Sequence, residues 1–563
     1  MVRRLLSVVG FETRGLHEAA YLVALFALLS QLLGLVRDHL LAATFGAGGT
    51  LDIYYSAFRI PDFLFATVAS LLSLYALLPV LSRLEQKSEG LMLSFMRQML
   101  LLFFAAMAAI AAVLFVLAPE ILRLTAPGLA ASPSSYGELL LLTRILLLQP
   151  MLLGASNILA NLTQMRHRFV LYSISPLLYN IGIIFGIVVL YPLWGIAGLG
   201  WGVVFGAGMH LAIQVPFFTA EGAREALPRG MVLRELWEVL LLSVPRTLSL
   251  AAGQISLLVL VAIASLFAAG SISVFMFAYN LQAVPLTIIG VSYSIAAFPT
   301  LSRLHARGEH AQFIRYIEAA LRHMLFWSIP ATVFVIVMRA QLVRVILGAG
   351  AFNWDATRLT AAALALFVTS LVAQALTLFI ARCYYAAGNT RKPLYWGVVD
   401  VAISVLASLA LVKLFQSSYF VRTFTESLLR VSDVPGTVVL MLAFGFAIGS
   451  IADFAAGFVY LVRDFKIAHA PLGRLVFQSF SASVIGGTVT YELLALTGAA
   501  GTINTTLGLL LQGLTAGILG ILTTAVVLIL LKNQEFAEAL AAFRRRFQDA
   551  GTVALEPTDI ETP

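Results

Sequence analysis

Between Ala19 and Leu531 the sequence is one apolar run after another, separated by glycines, prolines and clusters of charge. A helix needs about 20 mainly apolar residues to cross a hydrocarbon core of about 30 Å, and in lipid each backbone N–H and C=O must find a partner within the protein. Such a chain folds as a bundle of membrane-spanning helices. The runs fall at 17–38, 51–82, 91–118, 137–164, 169–192, 195–218, 236–267, 271–302, 311–338, 357–386, 393–414, 435–462, 473–497 and 506–531. They predict an all-α polytopic membrane protein with fourteen transmembrane helices. With 60% of residues hydrophobic and 11% charged, nothing between the runs is large enough for a soluble domain. The opening "MVRRLLSVVGFETRG" has a basic start, but Glu12 and Arg14 interrupt its apolar portion and no small-residue cleavage pattern follows. Residues 1–16 therefore read as an amphipathic surface helix rather than a signal peptide.

When sides are alternated along the runs, the great majority of the 36 Lys and Arg collect on the side of the N-terminus. The positive-inside rule then places both termini in the cytoplasm. The formal charge of +8 is a consequence of that topology and gives no reason to expect nucleic acid. A single cysteine, Cys383, excludes an internal disulfide and any multi-cysteine metal site. The sequence contains no Walker A loop, no H-E-x-x-H and no G-x-S-x-G in a plausible setting, so neither an ATP engine nor covalent catalysis is supported. The expectation is a transporter, not an enzyme.

Two short strings recur. "LPVLSRL" (78–84) closes the second run and "FPTLSRL" (298–304) the eighth, while "LTAPG" (124–128) and "ILGAG" (346–350) occupy corresponding outer loops. An even number of runs separates the copies, so both halves share one orientation, a parallel repeat about an axis along the membrane normal. This divides the chain into a first six-helix lobe (17–218), a polar linker (219–235), a second six-helix lobe (236–463), two C-terminal helices (473–531) and a cytoplasmic tail (532–563) bearing the basic "EFAEALAAFRRRFQDA". A path between two such lobes is opened to each side in turn by rocking.

An ionisable side chain near the bilayer centre costs about 2.5–3.5 kcal/mol, so it persists only where it faces protein, water or a ligand. Arg37 and Asp38 close the first run, where they are either an interfacial ion pair or part of a cavity. Asp52, Arg59 and Asp62 lie in the second, with Pro61 disturbing the helix beside them. At 100° per residue they form one polar stripe on a lobe-facing helix. Arg144 is near an outer end and can snorkel, and Arg246 follows Pro245 near the cytoplasmic side. Asp400 and Asp453 are candidates for ion coupling, binding a cation or proton, or else structural partners of a basic group. Arginines in a central path suit a phosphate-bearing anion, because a guanidinium offers bidentate bonds and keeps its charge.

The strings "SQLLGLVRD" (30–38), "DIYYSAFRIP" (52–61), "SPLLYNIGII" (175–184) and "VPLTIIGVSYSIAAFPTLSRL" (284–304) resemble the lipid II flippase family, MurJ/MviN, of the multidrug/oligosaccharidyl-lipid/polysaccharide exporter superfamily. The likeness extends over nearly the whole chain. L-G-x-x-R-D followed by D-x-x-x-x-A-F-R-x-P is its specific part. The resemblance implies a flippase of the bacterial cytoplasmic (inner) membrane that moves the undecaprenyl-pyrophosphate-linked precursor of peptidoglycan from the inner to the outer leaflet. In that family a cationic cavity holds the pyrophosphate and sugar, and a groove by the last two helices takes the lipid tail. By motif position Arg37, Asp38, Asp52 and Arg59 correspond to charged residues of the cavity or its rim, with Gln31, Asp62, Asn280 and Arg246 as further polar groups. The chain departs from the pattern at Gln31 and Asn280, where the family usually has arginines, and at Phe65 and Ala66, where it has an arginine pair.

The expected partners are the polyprenyl-linked substrate, membrane lipids and proteins of cell-wall synthesis, and the one candidate cofactor is a coupling cation, Na+ or H+. Two other readings stay open: a flippase or small-amphiphile exporter of the same superfamily with another substrate, and a non-transporting scaffold. A scaffold would be expected to carry a long cytoplasmic extension, which the tail 532–563 is not.

Overall fold

The computed structural model describes residues 16–68, 74–166, 168–218, 230–467, 470–499 and 505–541, and there is no strand among them. Helix α1 (Leu16–Phe45) runs on past residue 38, so Arg37 and Asp38 sit inside it. It ends at Gly46, whose amide makes the last helical bond, to the Ala42 carbonyl at 2.8 Å, and whose positive φ of 64° turns the chain out of the helix. The expected second crossing is divided into α2 (Gly49–Ala57), α3 (Arg59–Thr67) and α4 (Leu74–Glu85). The break at Phe58 has a covalent cause: Pro61 has no N–H to give to the Ala57 carbonyl, and its ring crowds that oxygen. Asp52 and Arg59 therefore stand on different helices, and the single stripe expected for them is interrupted.

The chain continues through α5 (Glu89–Thr125), α6 (Pro133–Leu146), α7 (Leu148–Met165), α8 (Phe169–Phe185), α9 (Ile196–Ala212), α10 (Met231–Ala264), α11 (Ser271–Leu286), α12 (Ser292–Ala306) and α13 (His310–Val337). It closes with α14 (Arg339–Leu347), α15 (Trp354–Val368), α16 (Leu371–Ala386), α17 (Arg391–Ser417), α18 (Tyr419–Leu429), α19 (Leu440–Phe465), α20 (Ala470–Ala499) and α21 (Thr506–Leu530). Among the described residues nine helical stretches are long and apolar enough to cross a membrane, and a tenth is the pair α15 and α16, bent by 46° at their junction. Large apolar side chains face outward along them, such as Val116 and Leu124 of α5. That is the surface lipid requires.

By internal contacts the chain forms two units, one of 1–281, 346–367 and 390–453, the other of 282–345, 368–389 and 454–563. In the first, Met92, Phe95, Met96 and Met99 of α5 pack with Leu77 and Leu81 of α4 and Ile158 and Leu162 of α7. Elsewhere small residues bring backbones together, because lipid tails are as apolar as leucine and only close packing and polar contacts favour one helix against another. A Cβ built on Gly182 of α8 would lie 2.2 Å from the Gly206 Cα of α9. In the second unit Gly486 of α20 and Gly520 of α21 receive Thr524 and Thr490 in the same way.

The expected amphipathic stretch 1–16 lies, but for Leu16, outside the described residues, as do 219–229 of the linker and the tail beyond 541.

Candidate functional site

Arg37 and Asp38 are consecutive on α1 and bind each other: Nε and Nη2 of the guanidinium donate to Asp38 Oδ1 at 2.9 and 2.8 Å. The remaining Nη1 donates to Asn180 Oδ1 of α8 at 3.2 Å, and Asn280 of α11 donates to Asp38 Oδ2 at 3.3 Å. Asp38 is buried, with 6% of its side chain exposed, whereas Arg37 keeps 25%. The pair is thus no surface contact: three helices converge on it. Asn180 lies within one of the recognised strings, but nothing in its local spacing marks it, because its partner is 143 positions away.

Arg59 opens α3 immediately after the break. Its Nε donates to the Tyr55 carbonyl at 3.1 Å and its Nη2 to Asp62 Oδ2 at 3.2 Å. The guanidinium is 7% exposed and the Asp62 carboxylate 32%, so the open edge of this pair is its acidic side. Beside it the Tyr55 hydroxyl is buried with no hydrogen-bond partner among the described residues. The i,i+3 pairing of Arg59 with Asp62 is the geometry that helical spacing predicts.

Asp52 has a different role from the one expected. The sequence reading puts Asp52 on one polar stripe with Arg59; in the structure its carboxylate accepts from the Gly270 amide (2.6 Å), the Ser273 amide (2.8 Å) and the Ser273 hydroxyl (2.6 Å). It satisfies the orphan N–H groups at the start of α11 and is favoured there by the helix dipole. Gly270, at φ 92°, has to be glycine, since a Cβ there would lie 2.4 Å from the Ala47 carbonyl oxygen. Neighbouring bonds join the same end of this unit: the Ala351 amide to Ala43 O at 2.8 Å, the Gly128 amide to Ser265 Oγ at 3.1 Å, and His39 Nδ1 to Ile346 O at 2.7 Å. The segments around 39–52, 126–128, 265–273 and 346–352 are stitched into one layer.

The other candidates separate. Gln31 lies on α1 without a hydrogen bond among the described residues, and Arg246 lies on α10 with its side chain outside them. Arg144 donates Nε to the Phe115 carbonyl at 3.3 Å, and its guanidinium stands 4.3 Å over the Phe115 ring. It stays away from the two pairs above. Asp400 and Asp453 come together. Antiparallel α17 and α19 pack Ser404 against Gly449 and Ser408 against Gly445. One turn further along that register Asp400 faces Asp453. Asp400 accepts from Ser404 Oγ at 3.2 Å, and Asp453 Oδ1 is buried with no hydrogen-bond partner among the described residues.

The profile of the family described as Lipid II flippase MurJ matches residues 41–427. The chain is 27% identical over 399 residues to the probable lipid II flippase MurJ of Buchnera aphidicola subsp. Acyrthosiphon pisum, covering 70% of this chain and 78% of the relative. It is 25% identical over 477 residues to the probable lipid II flippase MurJ of Thermotoga maritima, covering 82% and 87%. Among solved structures, one described as lipid II flippase MurJ in an inward closed conformation superposes with a TM-score of 0.69 at 20% identity, covering 91% of this chain and all of that one. An inward-facing multidrug resistance MATE family transporter of the MOP superfamily gives 0.63 at 12% identity, covering 78% and 94%. These likenesses share a fold of packed membrane helices.

Proposed function

Because the chain belongs to the lipid II flippase MurJ family, we propose that it carries lipid II, the polyprenyl-pyrophosphate-linked peptidoglycan precursor, from the inner to the outer leaflet of the bacterial cytoplasmic membrane. The observation that carries this reading is a pair of guanidiniums, Arg37 and Arg59, inside apolar helices and each held by a carboxylate of its own helix. A pyrophosphate displaces such a carboxylate without leaving a buried cation unpaired, and a guanidinium stays charged throughout. Tyr55, with its free hydroxyl, and Asn180 and Asn280 supply neutral hydrogen bonds to the head group.

The topology in this proposal has fourteen crossings with both termini cytoplasmic. The nine clear spans and the bent pair α15 and α16 are joined by α2 to α4, by α9, by α10 and by α20, whose charges, breaks or Ser, Thr and Gly content lower their hydropathy. Residues 17–218 and 236–463 form the two six-helix lobes, which alternate access, and 473–531 the additional pair. On this topology the stitched layer of Asp52 and Ser273 is the outer gate, shut in this conformation. Transport draws on an ion gradient or the membrane potential, with the facing Asp400 and Asp453 taking Na+ or H+. Two carboxylates a side chain apart in low dielectric do not both stay ionised without a cation or proton between them.

The test is depletion of the native lipid II flippase from a tester bacterium with this chain supplied in its place. Lipid II reaching the outer leaflet is the expected result. Lipid II confined to the inner leaflet, with the chain well inserted, overturns the substrate assignment.

A further inference from the structure

A second cationic site lies in the other unit, where α13, α20 and the end of α21 come together. Arg322, Arg474, Gln478, Lys532 and Glu535 line a cavity of about 280 Å³ there. Its floor is fixed by amides whose bonding capacity is engaged. Gln478 donates to the Leu531 carbonyl and accepts from Asn533 Nδ2, both at 2.9 Å, and Asn533 Oδ1 in turn accepts from the Phe536 amide at 2.9 Å. Gln478 and Asn533 are buried, so this floor tolerates little rearrangement.

Three cations then face one carboxylate. Glu535 approaches Arg322 only at the 4.0 Å limit of an ion pair, and Arg474 and Lys532 have no carboxylate at ion-pair distance among the described residues. Lys532 also stands at φ 51°, in the left-handed region where a helix commonly ends on glycine. Its amide and that of Asn533 close the end of α21 on Ile529 O and Leu528 O, each at 3.0 Å. Gly would suit that backbone better, and the sequence holds a cation there instead.

We propose that this cavity binds a phosphate-bearing anion at the depth of the lipid head groups. Cationic pockets at the ends of membrane helices have that chemistry, since clustered Lys and Arg next to the interface attract acidic lipid. Two sources share it, the head group of an acidic glycerophospholipid and a soluble pyrophosphate. The site is independent of Arg37 and Arg59, and its test does not require the chain to flip anything.

Titration calorimetry on the full chain in a neutral detergent separates the sources, with short-chain phosphatidylglycerol, short-chain phosphatidylcholine and sodium pyrophosphate as probes. Lys532→Gly removes one cation and relaxes the backbone, so its melting temperature should equal or exceed that of the wild type. Arg474→Gln removes a second at an exposed position. Binding of phosphatidylglycerol in preference to phosphatidylcholine assigns a lipid head group, and binding of pyrophosphate a soluble anion. In either case each substitution should weaken the probe about tenfold. Wild-type affinity in both variants, phosphatidylcholine binding as tightly as phosphatidylglycerol with no pyrophosphate bound, or no binding of any probe by the wild type overturns the proposal.

Discussion

Arg59 and Arg144 are retained among apolar side chains by two different arrangements, and these predict two different responses to substitution. Arg144 rests on an aromatic face and one carbonyl, with no carboxylate attached among the described residues, so Arg144→Lys keeps most of its contacts. Arg59 uses two edges of its fork at once, on the Tyr55 carbonyl and on Asp62. Arg59→Lys cannot span both and should cut flipping in reconstituted vesicles at least tenfold, while Arg59→Ala should abolish it. The stability cost of Arg59→Ala is about 1–3 kcal/mol, since the orphaned Asp62 is a third exposed and partly hydrated. A thermal melt therefore separates loss of function from loss of fold, and wild-type flipping by Arg59→Ala would remove the anion site. A further pair ties the start of α15 to the loop after α18: Arg358 donates Nη1 and Nη2 to both oxygens of Asp433, at 2.7 and 2.6 Å. The Arg358 hydrogen bonds hold the Asp433 carboxyl below its ordinary value. A depressed folded pKa gives stability that is complete above the unfolded carboxylate range and disappears as pH falls through the folded value. Melts of wild type and Asp433→Asn should differ near neutrality and converge once the pH has fallen below the ordinary carboxylate range; a gap that persists there contradicts this.

The helices themselves are held by contacts that residue type alone announces only in part. A Cβ on Gly202 of α9 would lie 2.3 Å from the Gly186 Cα, and what it meets is backbone, which cannot swing away. Gly202→Leu should cost about 3 kcal/mol, the upper end for overpacking, and lower both yield and melting temperature. Gly208→Leu, on the same helix with nothing within 4 Å of its Cβ, should be nearly silent. Equal melts for the two variants would mean that α8 and α9 do not rely on this approach. The run "GLGWGVVFGAGMH" makes α9 visibly rich in glycine, yet which glycines are pressed against α8 depends on how that helix is rotated. The same limit explains the site. The apolar runs were legible because length against bilayer thickness is a one-dimensional property, and Arg59 with Asp62 because i,i+3 spacing is local. The cap that Asp52 makes was not legible because its donors lie 218 and 221 positions away, and a carboxylate at the mouth of a cavity has the same sequence signature as one that caps a distant helix.

For the whole molecule, the stitched layer has a direct consequence. If this layer is the outer gate proposed above, alternating access releases it in every cycle, so the bonds from Asp52 to Gly270 and Ser273 have to be stable enough to shut it and weak enough to break. A carboxylate with three donors meets both demands, because water can replace each donor once the layer parts. A disulfide at the same place cannot part. Ser273 Oγ and Asp52 Oδ1 are 2.6 Å apart, and because a cysteine sulfur at position 52 stops one bond short of Oδ1, thiols at these two positions meet once the two segments draw slightly closer. The only native cysteine, Cys383, is buried and does not compete. Asp52→Cys with Ser273→Cys should flip lipid II when reduced, slowly because the helix cap is gone, and should stop when oxidised. Reduction of the same vesicles should restore the slow rate, so each preparation serves as its own control for folding and insertion. If the cross-link forms and flipping continues at the reduced rate, this layer is not a gate, and the substrate leaves by a route that does not pass between α2 and α11.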